Sequence, residues 1–247
     1  MKYRDTSKIV TFYTQELGKV AAIVKGARQS KNKYGSALEP MSYVSLVLYQ
    51  KDGREIQTVS SCDRLKPLRH LTEDLEKMAI GLYIVEIMNH IAHEQEKNIS
   101  LFTLLVDSLN ALDNATKNVK NLFYNFELKL AGILGVNPTF DSCVRCGETV
   151  VQKDDAHIIE FHLDKGGPLC QNHRQMSGHK QRLPGKVLSI LERISSSASF
   201  DEVVGIVIED PLHEQIQNCL WSYMQFHVTG IRPLKTKRVF SSILGTS

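Results

Sequence analysis

Four short runs near the start of the chain gather β-branched and aromatic side chains: KIVTFYT (8–14), KVAAIVK (19–25), SYVSLVLYQ (42–50) and REIQTVS (54–60). Runs of this length and composition predict β-strands. Asp52-Gly53, between the third and fourth, predicts a hairpin because Gly tolerates positive φ. Short strands linked in this way predict a small barrel or sandwich, an oligonucleotide-binding (OB) barrel being one solution.

From about Leu71 the period changes to that of helices. LTEDLEKMAIGLYIVEIMNHIAHEQEKN offers Thr72 as an N-cap with acids in its first turn, and its centre, Ile80 to Met88, is apolar nearly all round, as in a buried helix. SLFTLLVDSLNAL follows. Val119, Leu122, Phe123, Phe126, Leu130, Ile133 and Leu134 then keep the i, i+3, i+4, i+7 spacing of one helix, which Gly135 and Pro138 close. Residues 139–182 break the pattern with cysteines, histidines and glycines. Helical spacing returns at 184–196 and 211–230, with Pro184 and Pro211 where a first-turn proline is tolerated and a Ser-rich linker, 194–202, between them. The expected fold is α+β: an OB-type domain over 1–70, then a mainly helical domain over 71–247 containing a metal module at about 140–180.

The 247 residues carry a net charge of only +3, so attraction for polyanions has to come from clustered cations. MKYRDTSKIV lacks the apolar core of a signal peptide and no apolar run approaches a membrane span, so a cytoplasmic location is expected. Five cysteines do not make a disulfide framework.

Three of those cysteines fall into two ligand turns, Cys143-Val-Arg-Cys146 and Cys170-Gln-Asn-His173. Zinc takes four N or S ligands in a tetrahedron, and two such turns supply them from short loops. Gly147, Gly166 and Gly167 provide the tight bends. A closed set of four ligands is structural, since catalytic zinc keeps an open position. The bland reading is three unrelated buried thiols and a surface His, and His157, His162 or His179 could replace His173 as fourth ligand.

IVKGARQSKNKYGSALEP (23–40) carries Lys25, Arg28, Lys31 and Lys33 with no acid between Glu16 and Glu39, and Lys19 adds a fifth cation. Most charge runs are solvated loops. Here Tyr34 and the nearby Tyr13 interleave rings that stack on bases with charges that track phosphates. Lys180, Arg182 and Lys186 form a second basic set, and Arg232, Lys235, Lys237 and Arg238 a third. No phosphate-binding Gly-x4-Gly-Lys loop, zincin helix or zinc-deaminase pair occurs. Glu86, His90, His93 and Glu94 share one side of the expected helix and read as a solvated helix end before a metal site, while Cys62 and Cys219 read as core.

The "VKGAR" turn, the "G-ALEP" step, the "GRE-QT" strand, and FELKLAGILGVNPTFDSCVRCGE with the later FHLDKGGPLC make the chain resemble the RecO family of bacterial DNA repair proteins, from about Ser7 to RPLKTKRV. The resemblance implies a non-enzymatic recombination mediator with an N-terminal OB barrel and a helical C-terminal part. Such proteins bind single- and double-stranded DNA and anneal complementary strands. With RecR they help load RecA onto DNA coated by single-stranded-DNA-binding protein (SSB), whose acidic C-terminal tail they bind. Carried onto this chain, the DNA contacts are Lys25, Arg28, Lys31, Lys33 and Tyr34, the structural zinc ligands Cys143, Cys146, Cys170 and His173, and the location the cytoplasmic nucleoid. The helix around Lys117, Lys120 and Lys129 is the candidate groove for the SSB tail. Family members that keep the metal often end in Cys-x-x-Cys, so CQNH departs from the fullest pattern. Two competing readings are an RNA-binding OB–zinc protein and an enzyme built on the His90 cluster.

Overall fold

The four N-terminal runs are strands in the computed structural model, which describes residues 6–29, 33–150 and 157–228. Lys31 and the third basic set lie outside the described residues. The chain divides into two units, Met1–Asp113 and Asn114–Ser247.

In the first unit, β1 (Lys8–Thr14), β2 (Gly18–Val24), β3 (Tyr43–Tyr49) and β4 (Ile56–Lys66) form one sheet in the order β1-β2-β4-β3. β1–β2 and β3–β4 are antiparallel, while β2–β4 is parallel. Alternation sends Val20, Ala22 and Val24 inward, where Ala22 and Val24 join Val59, Cys62, Ala37 and Leu38 in a core cluster. Gly18 turns β1 into β2 at a φ of 65°, and a Cβ there would collide with the Glu96 carbonyl, so only glycine fits. No ladder joins β1 to β3 among the described residues. The sheet is therefore open, with four strands where a closed OB barrel has five.

Three helices complete this unit: α1 (Arg69–Glu73), α2 (Leu75–Ile91) and α3 (Ile99–Asn114). Asp74, not Thr72, caps α2, its carboxylate accepting from the Lys77 N–H at 3.0 Å. Thr72 sits inside α1 and donates back to the Leu68 carbonyl. α2 buries Ala79, Ile80, Tyr83, Ile84, Ile87 and Met88, while Leu82, Val85 and Glu86 stay half-buried, so its apolar centre is buried on most sides rather than all round. Asp113 at the end of α3 ties these helices together, accepting from the Leu71 N–H at 2.9 Å while its carbonyl accepts from Lys77 Nζ at 3.1 Å.

The second unit is built around α4 (Val119–Ile133), buried over most of its surface. It packs on α5 (Gly185–Ser196), α6 (Phe200–Gly205) and α7 (Asp210–His227). Its polar residues also face inward. Asn121 donates to the Val203 and Ile206 carbonyls and Asn125 to that of Ile194, tying α4 to the C-terminal ends of α6 and α5. Gly135, at φ 77°, ends α4 as expected. Within the Ser-rich stretch taken as a linker, Ser199 caps α6 and Glu202 reaches back to the Ala198 N–H. A small antiparallel sheet, β6-β5-β7 (Gly167–Leu169, Ile158–His162, Lys180–Pro184), occupies part of the glycine-rich region.

Candidate metal centre and basic surface

Cys143 and Cys146 lie on a turn just beyond α4, closed when the Gly147 N–H bonds the Cys143 carbonyl at 2.8 Å. Gly147 takes φ 75°, which lets the chain reverse so that the Cys143 N–H reaches the Glu148 carbonyl, also at 2.8 Å. Cys170 leaves β6 and begins the second turn, closed by the His173 N–H on the Cys170 carbonyl at 3.0 Å. The two turns are joined by the Val144 N–H on the Pro168 carbonyl. That close approach needs Gly167, where a Cβ would strike Val144 and Thr139.

The four ligand atoms lie within 4.8 Å of one another. Cys146 Sγ and Cys170 Sγ are 3.8 Å apart, Cys143 Sγ and His173 Nδ1 3.8 Å, and Cys170 Sγ and His173 Nδ1 3.2 Å. A tetrahedron with metal–sulfur bonds of about 2.3 Å has S···S edges of about 3.8 Å. The donor set therefore fits a four-coordinate ion, and the cluster could hold one. The rival histidines are engaged elsewhere: His157 with Arg174, His179 with Asp164, and buried His162 with the Ser177 carbonyl. Burial raises the Cys143 thiol, but the N–H groups of Cys170, Arg145 and Cys146 and the Cys146 side chain outweigh it and bring it down to about 6. Burial, helped by Cys146, Cys143 and Glu148, outweighs the Asn172 N–H and lifts Cys170 up to about 11. The N–H groups around Cys143 thus favour its thiolate, the form that binds a metal ion.

Packing holds this module against α7. Phe140 stacks on Phe161 at 5.8 Å, Phe161 meets the edge of Tyr223 at 6.1 Å, and the Tyr223 hydroxyl donates to the Val136 carbonyl at 2.6 Å.

Lys25, Arg28 and Lys33 are exposed around the turn after β2, where the Arg28 N–H bonds the Thr6 carbonyl. Tyr34 is 8% exposed and belongs to the core cluster of the sheet. Its ring lies 5.0 Å under Lys33 Nζ and supports that cation, with little face left for a base. Lys19 is not part of the basic surface either: its Nζ donates to the Asn89 carbonyl at 2.8 Å, at the C-terminal end of α2, and pairs with Glu94. In the second basic set, Lys180 pairs with Glu160 at 2.9 Å and Lys186 with Glu209 at 2.8 Å, so much of that charge is offset. Lys129 lies over the Phe200 ring at 4.5 Å. α2 ends at Ile91, so His93 and Glu94 stand beyond the helix that was to align them with Glu86 and His90. Among the described residues, the Cys143 group is the metal-competent cluster found.

Comparison with known proteins covers nearly the whole chain. Residues 1–68 match the family model described as recombination protein O N terminal, and residues 72–238 the one described as recombination protein O C terminal. A protein from Salinibacter ruber named DNA repair protein RecO is 40% identical over 98% of this chain and 90% of its own length. One of the same name from Pelodictyon phaeoclathratiforme is 32% identical over 99% of this chain and 95% of its own.

Proposed function

The chain belongs to the recombination protein O family, a family of DNA repair and recombination, and from that premise we propose that it is a non-enzymatic recombination mediator. In this reading it binds single- and double-stranded DNA, anneals complementary strands and, with RecR, helps load RecA onto SSB-coated single strands. The observation that carries the proposal is the family match running through both units of the chain.

The sequence supports a division of labour. Two strands of DNA repel each other, so an annealer has to neutralise phosphates while leaving base edges free to pair. Exposed Lys25, Arg28 and Lys33 around the turn after β2 supply charge without covering bases, and Lys31 is assigned to the same surface. Tyr34 is assigned to hold Lys33 in place. The sheet order, with β2 and β4 parallel, supports an OB-type barrel short of one strand. Zinc is the ion proposed for Cys143, Cys146, Cys170 and His173, because a thiolate-rich tetrahedral set favours it. It would tie two turns into one module and contribute to folding. The SSB tail, acidic and apolar, is assigned to the second unit near Lys117, Lys120 and Lys129.

The test is annealing of complementary oligonucleotides precoated with the cognate SSB. Acceleration that disappears when the SSB tail is deleted is the expected result. No acceleration by folded, zinc-loaded protein would overturn the mediator reading, and a preference for RNA in direct binding would move the protein to RNA metabolism.

A further inference from the structure

The face of the N-terminal sheet turned away from its core cluster is apolar where alternation ordinarily places polar side chains. The ladders set Ile9 beside Ile23, Ile23 beside Thr58 and Thr58 beside Tyr49, one row crossing all four strands. Ala21 beside Ile56 belongs to the next row, and Val47 lies on the same side of β3 as Tyr49. Tyr49 is 65% exposed, Ile9 60%, Val47 53% and Ile56 42%. Four of the ten large apolar side chains exposed among the described residues therefore share one face of one sheet. Single exposed apolar residues need no explanation, but a grouped set marks a contact surface.

The surface is held in place and bordered by cations. Buried Gln57 braces the turn between β3 and β4 from inside, accepting from the Lys51 N–H at 2.9 Å and donating to the Arg54 carbonyl at 2.8 Å. That fixes the strand ends bearing Tyr49 and Ile56. Ser60 is the extra residue of a bulge in β4, between Val59 opposite Leu48 and Ser61 opposite Val47. Its carbonyl accepts from Lys33 Nζ at 3.4 Å, which draws that cation onto the sheet two residues beyond Thr58. Exposed Lys25 stands two residues beyond Ile23, at the end of the neighbouring strand. Two residues of strand measure about 7 Å, a reach that one nucleotide covers between base and phosphate. The acids are set apart, Asp52 and Glu55 on the β3–β4 turn and Asp63 farther along β4.

Charge selects the occupant. In a symmetric contact between two copies the same patch meets itself, which would set Lys25, Arg28 and Lys33 of one copy against those of the other. A duplex offers phosphates but keeps its base faces inside its own stack. An unpaired strand offers both, phosphates for the cations and base faces for an exposed ring. We propose that Tyr49 is the stacking platform of the sheet and takes an unpaired base of single-stranded DNA on its ring. Val47 and Ile56 flank that base, the row through Ile23 to Ile9 underlies its neighbours, and Lys25 and Lys33 hold phosphates. Tyr49 thus takes the role that the sequence pattern assigned to Tyr34, which is buried beneath Lys33. The assignment rests on the DNA reading proposed above and gives it a means of telling a single strand from a duplex. Stacking occupies base faces and leaves pairing edges open, as annealing requires.

Fluorescence anisotropy with a labelled oligothymidylate and a labelled hairpin duplex tests this on the full chain and on Tyr49→Ala, Tyr49→Leu and Tyr49→Phe. Loss of the ring in Tyr49→Ala should weaken oligothymidylate binding about 5- to 150-fold. Hairpin binding should stay unchanged, and so should the salt slope, since no phosphate contact is lost. Tyr49→Leu keeps apolar bulk at the site without a π-face and should bind as weakly as Tyr49→Ala, at a Tm equal to that of the unsubstituted chain. Tyr49→Phe should keep full affinity. Undiminished oligothymidylate binding by Tyr49→Ala and Tyr49→Leu overturns the proposal, as does an equal loss for strand and hairpin. A dimer that Tyr49→Ala converts to monomer, with strand binding intact, would give the face to a second copy instead. If the unsubstituted chain binds neither probe, it is the DNA reading itself that fails.

Discussion

Glu127 shows what a single residue can cost the fold. Its carboxyl is 2% exposed on α4, and Oε2 has no hydrogen-bond partner among the described residues. Burial raises its pKa well above the ordinary value, and the group in turn helps lift the Cys219 thiol up to about 12. The folded state therefore holds a proton on Glu127 that the unfolded chain releases near pH 4. Stability is greatest below that pH and declines as pH rises toward the raised native value, where the loss levels off. Glu127→Gln keeps the shape and removes the ionisable group. It should stabilise the protein at pH 8, where the native proton on Glu127 costs free energy, with no such gain at pH 4, as read by urea unfolding at both pH values. At the metal cluster, His173→Ala should weaken zinc binding by more than the roughly 10- to 100-fold lost with an outer-shell partner, while His173→Cys restores it. Because the ligands bind as thiolates, retained zinc should fall as pH is lowered, as protons compete for the sulfurs. Zinc held equally by His173→Ala at pH 7 would remove that residue from the set.

At the scale of elements, the helix ends separate what was legible in the sequence from what was not. β1 to β4 were readable because short runs of β-branched and aromatic side chains suit a pleated, half-buried surface. The ligand turns were readable because their chemistry is local, two donors within four residues. Three features were not. Thr72 and Asp74 are both good caps, and the choice between them depends on where the chain bends. Ser199-Phe-Asp-Glu202 carries the Ser-x-x-Glu signature that could have revealed α6, but the serines around it read as a linker. Lys19 was grouped with the basic turn because its partners, Asn89 and Glu94, lie some seventy residues away in sequence and meet it only in the folded unit. Two substitutions test these element ends. Ser199→Ala should cost about 1 kcal/mol by loss of the cap. Lys19→Ala should cost about 0.3–1 kcal/mol, through lost contact with the C-terminal end of α2, and should leave the salt dependence of DNA binding unchanged.

For the whole molecule, a net charge of +3 makes the arrangement of charge decisive. If the second unit's paired lysines, Lys180 and Lys186, carried the binding, breaking their ion pairs would be part of the cost of every DNA contact. The turn after β2 carries no such cost at Lys25 and Arg28, for which no ion pair is recorded among the described residues. It is also anchored where it matters, by the Arg28 N–H on Thr6 and by Tyr34 in the core beneath Lys33. Each phosphate contact to a single strand contributes about −0.7 to the slope of log affinity against log salt. The triple variant Lys25→Ala, Arg28→Ala, Lys33→Ala should therefore flatten that slope by about 2. Because all three side chains are exposed, Tm should change little. Fluorescence anisotropy of a labelled single strand across a salt series gives the slope, and calorimetry gives Tm. An unchanged slope in a protein of unchanged Tm would move the DNA contacts off the N-terminal sheet. A lost slope with a lowered Tm would mean that Lys33 holds the sheet together through Tyr34, and the Lys25→Ala, Arg28→Ala pair alone would then have to reproduce about two-thirds of the flattening.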